Sequence, residues 1–155
     1  MKKVLPLLLI LFSTMASASV VTIDHMKYDI QGTKAAVISR YGYYGDYLNY
    51  NFNYTGTSYT VPSSITYNGN TYIVDRVADN AFTGYYADNR DCVQITSINL
   101  PNTINTIGKY AFGGTGISRM VIPSSVTTMQ GNSFKGCDFL TTLIYLPKSA
   151  PSEWT

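Results

Sequence analysis

Charge and metal-binding side chains are scarce in this 155-residue chain. Charged residues make up 13% of it, and the chain has one histidine, two cysteines and a single glutamate. Without a Cys-x-x-Cys pair, one histidine and two cysteines argue against a structural zinc site. A glycosidase needs two facing carboxylates at a set separation, and the aspartates show no such pairing. We therefore predict a non-catalytic protein that has no cofactor.

The remaining candidates for chemistry are weak. His25 stands beside Asp24, but neighbouring residues of a strand point to opposite faces, and no serine lies in a G-x-S-x-G setting. Asp88 and Asp91, with Asn89 between them, offer oxygen atoms to calcium. Arg90 interrupts that segment and its spacing is not that of an EF-hand, so we interpret it as a solvated loop with no metal.

The N-terminal segment 1–18 has the pattern of a signal peptide. Two lysines precede the apolar run Val4–Phe12, which is too short to span a bilayer as a helix, and Ala16–Ala18 forms an A-x-A cleavage site. A membrane anchor is the alternative, although no stop-transfer pattern follows. We predict a mature chain that starts at Ser19, is not inserted in a membrane, and is secreted, periplasmic or held at the cell surface.

The predicted mature chain is electrically neutral. Removal of the two N-terminal lysines leaves nine basic residues against nine acidic residues. A neutral surface argues against nucleic acid or an anionic membrane as the partner. Tyrosine, threonine, serine, asparagine and glycine are abundant, and such a composition suits β-structure in a protein outside the cytoplasm.

One phrase of sequence occurs twice and begins again between Ile98 and Pro147. Pro101–Phe112 and Pro123–Phe134 have the same length and the same pattern of apolar residues, and Leu143–Pro147 starts a further copy. Stacking such units at strand spacing, about 4.8 Å, buries their apolar columns. The pattern predicts a mainly β solenoid of about three and a half coils of about 22 residues. The predicted core phenylalanines are Phe82, Phe112 and Phe134.

The earliest copy is interrupted. It starts at Val61–Ile65 and resumes at Val74–Phe82, and the inserted residues contain Asn68-Gly69. Asn-Gly between β-rich flanks predicts a β-hairpin, because both residues tolerate the positive φ of a type I′ turn. A second insertion, Tyr85–Asp91, follows. Insertions in repeat proteins loop out on one side, often the binding side.

The region before the repeat has strand patterns at Val20–Ile23, Met26–Ile30 and Ala35–Ser39. We interpret them as a β-meander that caps the solenoid, since a terminal coil otherwise exposes its apolar face. The predicted domains are a signal peptide at 1–18, an N-terminal β cap with a tyrosine-rich loop at 19–60, and the solenoid at 61–155.

Cys92 and Cys137 occupy roughly the same repeat position two coils apart, and Thr115 holds the place between them. Two coils separate them by roughly 10 Å at strand spacing, whereas a disulfide needs Cα atoms within about 7 Å. We therefore predict two free, buried thiols.

Two groups of tyrosines lie outside the predicted core. Tyrosine gives contact area with little loss of entropy, which favours it in recognition surfaces, although β-propensity alone also enriches it. Those in glycine-containing or inserted segments are the predicted ligand-binding residues: Tyr41, Tyr43, Tyr44, Tyr47, Tyr85 and Tyr86.

The repeat resembles the BspA-like leucine-rich repeat of bacterial surface proteins. Ile122–Val126 continues to Phe134–Cys137 and Leu140 in the order of that motif, and Met26–Tyr28 is similar to the usual N-terminal region. The resemblance implies a curved leucine-rich-repeat fold on a secreted or surface-attached protein, in a family linked with adhesion, host-protein binding and cell aggregation.

From these features we expect a binding or adhesion module for a protein or glycan partner. The alternative is a minimal or truncated structural repeat protein that self-associates through its exposed terminal coil. A small hydrolase is a third and weaker hypothesis, because no convergent set of catalytic groups is present.

Overall fold

The computed structural model describes residues 19–38, 57–83 and 95–149. Within these ranges the chain forms strands and turns and no helix, which confirms the mainly β class. The strands are β1 Ser19–Ile23, β2 Met26–Gln31, β3 Lys34–Ile38, β4 Ser58–Thr60, β5 Ser64–Tyr67, β6 Asn70–Val77, β7 Ser97–Asn99, β8 Thr106–Ile107, β9 Arg119–Ile122, β10 Thr128–Met129 and β11 Thr142–Tyr145.

The N-terminal strands form the predicted antiparallel meander. β1 pairs with β2 and β2 with β3. The turn between β1 and β2 consists of Asp24 and His25, both at positive φ, as a two-residue type I′ turn requires. β3 then pairs in parallel with β6, where Ala35 lies opposite Val74. The meander therefore continues the sheet of the repeat region.

The inserted hairpin is also present. β5 pairs antiparallel with β6, with Tyr67 opposite Asn70. Asn68 and Gly69 have φ values of 49° and 77°, so the turn is of the predicted type I′ form. The long strand β6 thus serves both the hairpin and the stack of coils.

The repeat builds two rows of parallel strands. The first strand row, before the prolines, contains β4 paired with β7, and β9 paired with β11. The second strand row contains β6, β8 and β10. We number the coils as the first (58–83), the second (97–115) and the third (119–137). Parallel pairing between equivalent segments is the geometry of a solenoid, as predicted.

The last strand departs from the period of the repeat. Thr128 lies opposite Thr106, whereas Leu143 lies opposite Met120, a step along the chain that is one place longer. Pro147 is consequently one place beyond the position of Pro123. The shift keeps a ladder bond, because Leu146 N–H donates to the Ile122 carbonyl at 3.1 Å, and a proline has no N–H to donate.

The phenylalanine column is the centre of the core. The rings of Phe82 and Phe112 stack at 5.9 Å, and those of Phe112 and Phe134 at 5.1 Å. Phe82 and Phe112 are fully buried, whereas Phe134 is only half-buried. The core prediction is confirmed for the first two, and the third packs against the cluster from its edge.

A tight turn precedes each phenylalanine of the column. Phe112 N–H donates to the Ser133 carbonyl of the next coil at 2.9 Å, and Phe82 N–H donates to the Ala111 carbonyl at 2.7 Å. These bonds join successive turns into a stack. Close packing there leaves no room for a larger residue at Gly108, where an added Cβ would lie 2.5 Å from Asp79 N.

Candidate functional site

The tyrosines predicted to bind a ligand lie outside the residues that the structure describes. Four fall between residues 39 and 56, and two between residues 84 and 94. Their role stays a prediction. They are Tyr41, Tyr43, Tyr44, Tyr47, Tyr85 and Tyr86.

The first strand row presents a regular outward face. The strands β4, β7 and β9 bury Tyr59, Ile98 and Met120 and turn the residues on either side of them outward, because side chains alternate along a strand. β11 is less regular, because its last three residues are all half-buried. We call this surface the first-row face. Its side chains form two columns, Ser58, Ser97, Arg119 and Thr142 in one, and Thr60, Asn99, Val121 and Ile144 in the other.

The chemistry of the first-row face changes along the stack. At the first two coils it is neutral and polar, and Asn99 Nδ2 donates to Thr60 Oγ1 at 3.4 Å. At the third coil it gains the exposed cation Arg119 and the apolar Val121, which is 38% exposed. Such a surface offers hydrogen bonds, one positive charge and an apolar patch at fixed spacing. It is suited to contact a partner along several coils.

Asp75 and Asp79, the two described members of the densest group of carboxylates, have separate partners. Asp75 is buried in β6, with Lys34 Nζ 3.6 Å from its Oδ2 and Arg76 Nε 3.6 Å from its Oδ1. Asp79 instead accepts the backbone N–H of Lys109 at 2.9 Å. Asp75 therefore joins the meander to the first coil, and Asp79 supports a turn.

Other chemical candidates stay dispersed as well. His25 is exposed in the turn between β1 and β2. Across residues 19–38, 57–83 and 95–149, histidine, cysteine and acidic side chains do not come together in a group of three that could hold a metal ion. The same ranges contain no helix long and apolar enough to cross a membrane.

Cys137 is a free thiol, as predicted, although it is half-buried and not fully buried. Its Sγ lies 3.5 Å from Thr115 Oγ1 and 3.0 Å from the Phe112 carbonyl oxygen. Burial raises the pKa of this thiol above its usual value, which disfavours the reactive thiolate. The contact confirms that Thr115 and Cys137 share a repeat position. Cys92 lies outside the described residues.

Comparison with known proteins decides the family. A model of the "BspA type Leucine rich repeat region (6 copies)" matches residues 73–151, about half of the chain. The chain belongs to the BspA-type leucine-rich repeat family. A search of curated proteins finds no match.

Solved structures support this BspA-type fold. The crystal structure of the pneumococcal vaccine antigen PcpA is similar over 84% of this chain, with a TM-score of 0.55 and 20% identity. This chain covers 39% of that protein's length. A leucine-rich repeat protein from Bacteroides capillosus is similar over 82% of this chain and 98% of its own, with a TM-score of 0.54 and 18% identity. At these identities the likeness shows the fold alone.

The first-row face was not predicted from the BspA-type repeat. The repeat pattern predicts buried apolar columns, but that prediction does not extend to the residues that alternate with them along the first strand row. Alternation of polar and apolar residues in Ser58–Thr60 and Ser97–Asn99 is the signal that identifies them in the first two coils. Their alignment within each strand pair follows only from the register of β4 with β7 and of β9 with β11.

Proposed function

We propose that this chain is a secreted or cell-surface binding module, non-catalytic, whose partner is a protein or a glycan. The first-row face carries the proposal, because it repeats exposed polar and apolar side chains on a rigid frame of parallel strands. Family membership supports it. A stacked frame loses little conformational entropy on binding, which favours affinity for a partner.

Export is tested separately from binding. We expect the extracytoplasmic product to begin at Ser19, because Ala16–Ala18 is the cleavage motif. N-terminal sequencing of the exported protein measures this. A product that retains Met1, or that stays in the cytoplasm, contradicts the export half of the proposal.

Binding is tested on an array of glycans and matrix proteins. The first-row variant replaces Arg119 and Asn99 with alanine, and the matched control replaces the exposed Lys148. We expect the first-row variant to lose at least about tenfold in affinity for the partner, since removing a central hot-spot contact costs about 2 kcal/mol or more and about 1.4 kcal/mol corresponds to tenfold. Unchanged affinity in the variant shows that this face is not the binding surface.

The tyrosine-rich segment is compared on the same array. A variant with Tyr41, Tyr43, Tyr44 and Tyr47 changed to serine tests the ligand-binding residues predicted from the sequence. If this variant loses binding while the first-row variant retains it, the binding site lies in the tyrosine-rich segment. Absence of binding by the wild-type protein to every protein and glycan on the array contradicts the proposed function itself.

The second candidate function is self-association through the last coil. Among the described residues β11 pairs on one side only, with β9, and Phe139 and Leu146 are 57% and 52% exposed. An open edge beside exposed apolar side chains favours pairing with another strand. Light scattering at micromolar concentration, with Leu146→Lys for comparison, tests this. A strict monomer contradicts it.

A further inference from the structure

The seven-stranded sheet that contains the meander ends at β1. Within the described part of the chain, this strand pairs with β2 and with no other strand. Its five residues, Ser19–Ile23, include no charged residue and no proline, and they pair with β2 in an unbroken register. Natural sheets commonly protect an edge with a charged side chain, a proline or a bulge. The edge of β1 has none of these devices and is therefore open to pairing with another strand.

The turn after β1 decides which backbone groups face that edge. Two residues connect β1 to β2, so Ile23 and Met26 are the hydrogen-bonded pair that closes the hairpin. Hydrogen-bonded and non-hydrogen-bonded pairs alternate along an antiparallel ladder. Val20 and Thr22 consequently turn their N–H and C=O groups away from β2. The edge thus presents donors and acceptors that are placed symmetrically about Val21.

The side chains beside this edge are accessible. Val20 is 60% exposed and Thr22 is exposed on the same face of the sheet, whereas Val21 between them is buried on the core face. Covering apolar surface such as that of Val20 is favourable in water. A strand added beside β1 covers part of Val20 and continues the sheet.

The spacing of these groups fits a second copy of the same strand. A two-fold axis at Val21 places Val20 opposite Thr22 of the partner subunit, and the symmetry repeats this pair on the other side of the axis. Each pair exchanges two hydrogen bonds. Five residues of one copy therefore face the same five residues of the other, and no charged side chain lies in either strand.

The charges on β2 agree with this arrangement. Val20 lies opposite Asp29, and Thr22 lies opposite Lys27. Two-fold pairing of β1 therefore gives each cross-strand row of four side chains one acidic end and one basic end. Like charges directly opposite each other destabilise a sheet, and this register brings no two like charges into one row.

We propose that two copies of the mature chain form a two-fold dimer through antiparallel pairing of their β1 strands. Each copy uses the same edge, so the assembly closes at two chains, whereas a head-to-tail contact would extend it. The interface is small, so the dimer forms in a concentration-dependent way. A dimer carries two copies of every binding surface, which raises avidity for a partner with repeated sites.

Sedimentation of the exported protein over a range of concentrations tests the dimer. Thr22→Pro removes an N–H that faces the open edge and leaves the pairing with β2 in place, because proline is tolerated where the N–H faces solvent. Thr22→Val is the matched control that keeps the N–H. We expect Thr22→Pro, which removes half of the intersubunit hydrogen bonds, to raise the dissociation constant at least about tenfold, and Thr22→Val to change it about twofold or less. Thermal melts at low concentration verify that both variants fold.

A cysteine measurement tests the register. In the dimer Val21 lies opposite Val21 of the partner subunit in a non-hydrogen-bonded pair, with the Cα atoms about 4.5 Å apart, and a disulfide accepts that separation. Val21→Cys should therefore form a covalent dimer on mild oxidation. Thr22→Cys is the control, because that residue is more exposed but does not lie opposite its own copy. Faster crosslinking of Thr22→Cys contradicts the register.

The contradicting outcomes are separable. A dimer that Leu146→Lys abolishes and Thr22→Pro leaves unchanged belongs to the last coil and overturns the inference. A monomer at every concentration overturns it too. If a monomer loses a partner on the array through Thr22→Pro, the edge pairs with a strand of that partner and not with a second copy. The proposal is independent of the first-row face, whose variant gives its own result on the array.

Discussion

The second and third coils use the same residue type at the same place and bury it differently. Phe112 is fully buried between Phe82 and Phe134, whereas Phe134 is half-buried at the edge of the core. The difference comes from the neighbours and not from the residue, because each coil buries the faces of the coils on either side of it. The comparison separates the stability that one repeat contributes from what stacking adds.

The N-terminal side shows how a coil is covered on its other face. β3 pairs with β6, and Tyr28 and Val37 of the meander are fully buried. The first coil thus has a partner on each side, as the second has. Four predictions test how far position in the stack, and not residue type, sets the energetic cost of a change.

The largest effect is expected at the phenylalanines. Phe112→Ala leaves a cavity in the buried column and should cost about 3–5 kcal/mol of unfolding free energy. Phe134→Ala should cost about half as much, because part of that side chain is already in contact with water. Urea unfolding measures both. A Phe112→Ala unfolding curve within error of the wild type would refute the core assignment, and equal costs would refute the comparison.

Gly108 provides a second pair of variants. An added Cβ would contact the Asp79 carboxylate and lie 2.6 Å from the Ala78 carbonyl carbon of the first coil, so Gly108→Ala should cost about 1–3 kcal/mol. Gln130 holds the equivalent place in the third coil and is exposed. Gln130→Ala should change stability by about 0.5 kcal/mol or less. Thermal denaturation compares them, and a neutral Gly108→Ala variant would show that the turns are loosely stacked.

The meander should weaken first at alkaline pH. Burial, with a smaller contribution from Asp24, raises the pKa of Tyr28 to about 12 from 10.0. The folded state binds this proton more tightly, so the stabilisation is complete below pH 10 and is lost as pH rises toward 12. The loss amounts to at most about 1.4 kcal/mol at pH 11.

Tyr28→Phe should remove this part of the pH dependence. The Tyr28 hydroxyl contacts Met26 Sδ at 3.8 Å, so the substitution should cost about 1 kcal/mol or less at pH 7. Melts at pH 8 and pH 11 for both proteins measure the difference. An alkaline loss that is equal in wild type and variant would assign it to other groups.

The smallest effect is a gain. Tyr110 and its counterpart Asn132 have φ values of 55° and 61°. Tyr110→Asn should stabilise the protein by about 0.5–1 kcal/mol, because asparagine adopts positive φ with less strain. The reciprocal change, Asn132→Tyr in the third coil, should cost a similar amount. Denaturant midpoints measure both. Destabilisation by Tyr110→Asn would show that the contacts of Lys109 and Lys135 with the Tyr110 ring outweigh the backbone strain.

Local patterns predicted much of this fold. The Asn68-Gly69 turn, the three meander strands and the shared position of Thr115 and Cys137 all follow from residue type and spacing, because turn geometry and repeat period are properties of short segments. The spacing from Pro123 to Pro147 indicates a shift of two places in the last copy, whereas β11 is shifted by one. In the register of β11 with β9, Leu146 N–H donates to the Ile122 carbonyl. The spacing between prolines does not show which backbone groups pair.

The candidate sites divide in the same way. The predicted tyrosines came from composition and stay a prediction for the array to test. The first-row face consists of residues that are separated in sequence and come together only after stacking. The sequence alone shows Tyr110 at the repeat position that Asn80 and Asn132 hold in the neighbouring coils. It does not show that the backbone of Tyr110 is left-handed.

The amino-acid sequence alone determined the coil length, the phenylalanine column and the hairpin, because the period of apolar residues is the period of the stack. Only the tertiary structure decided that Phe134 is half-buried and that Lys135 and Lys109 both contact the Tyr110 ring. Burial depends on what covers a coil, and Lys109 and Lys135 come from different coils that only their packing brings together.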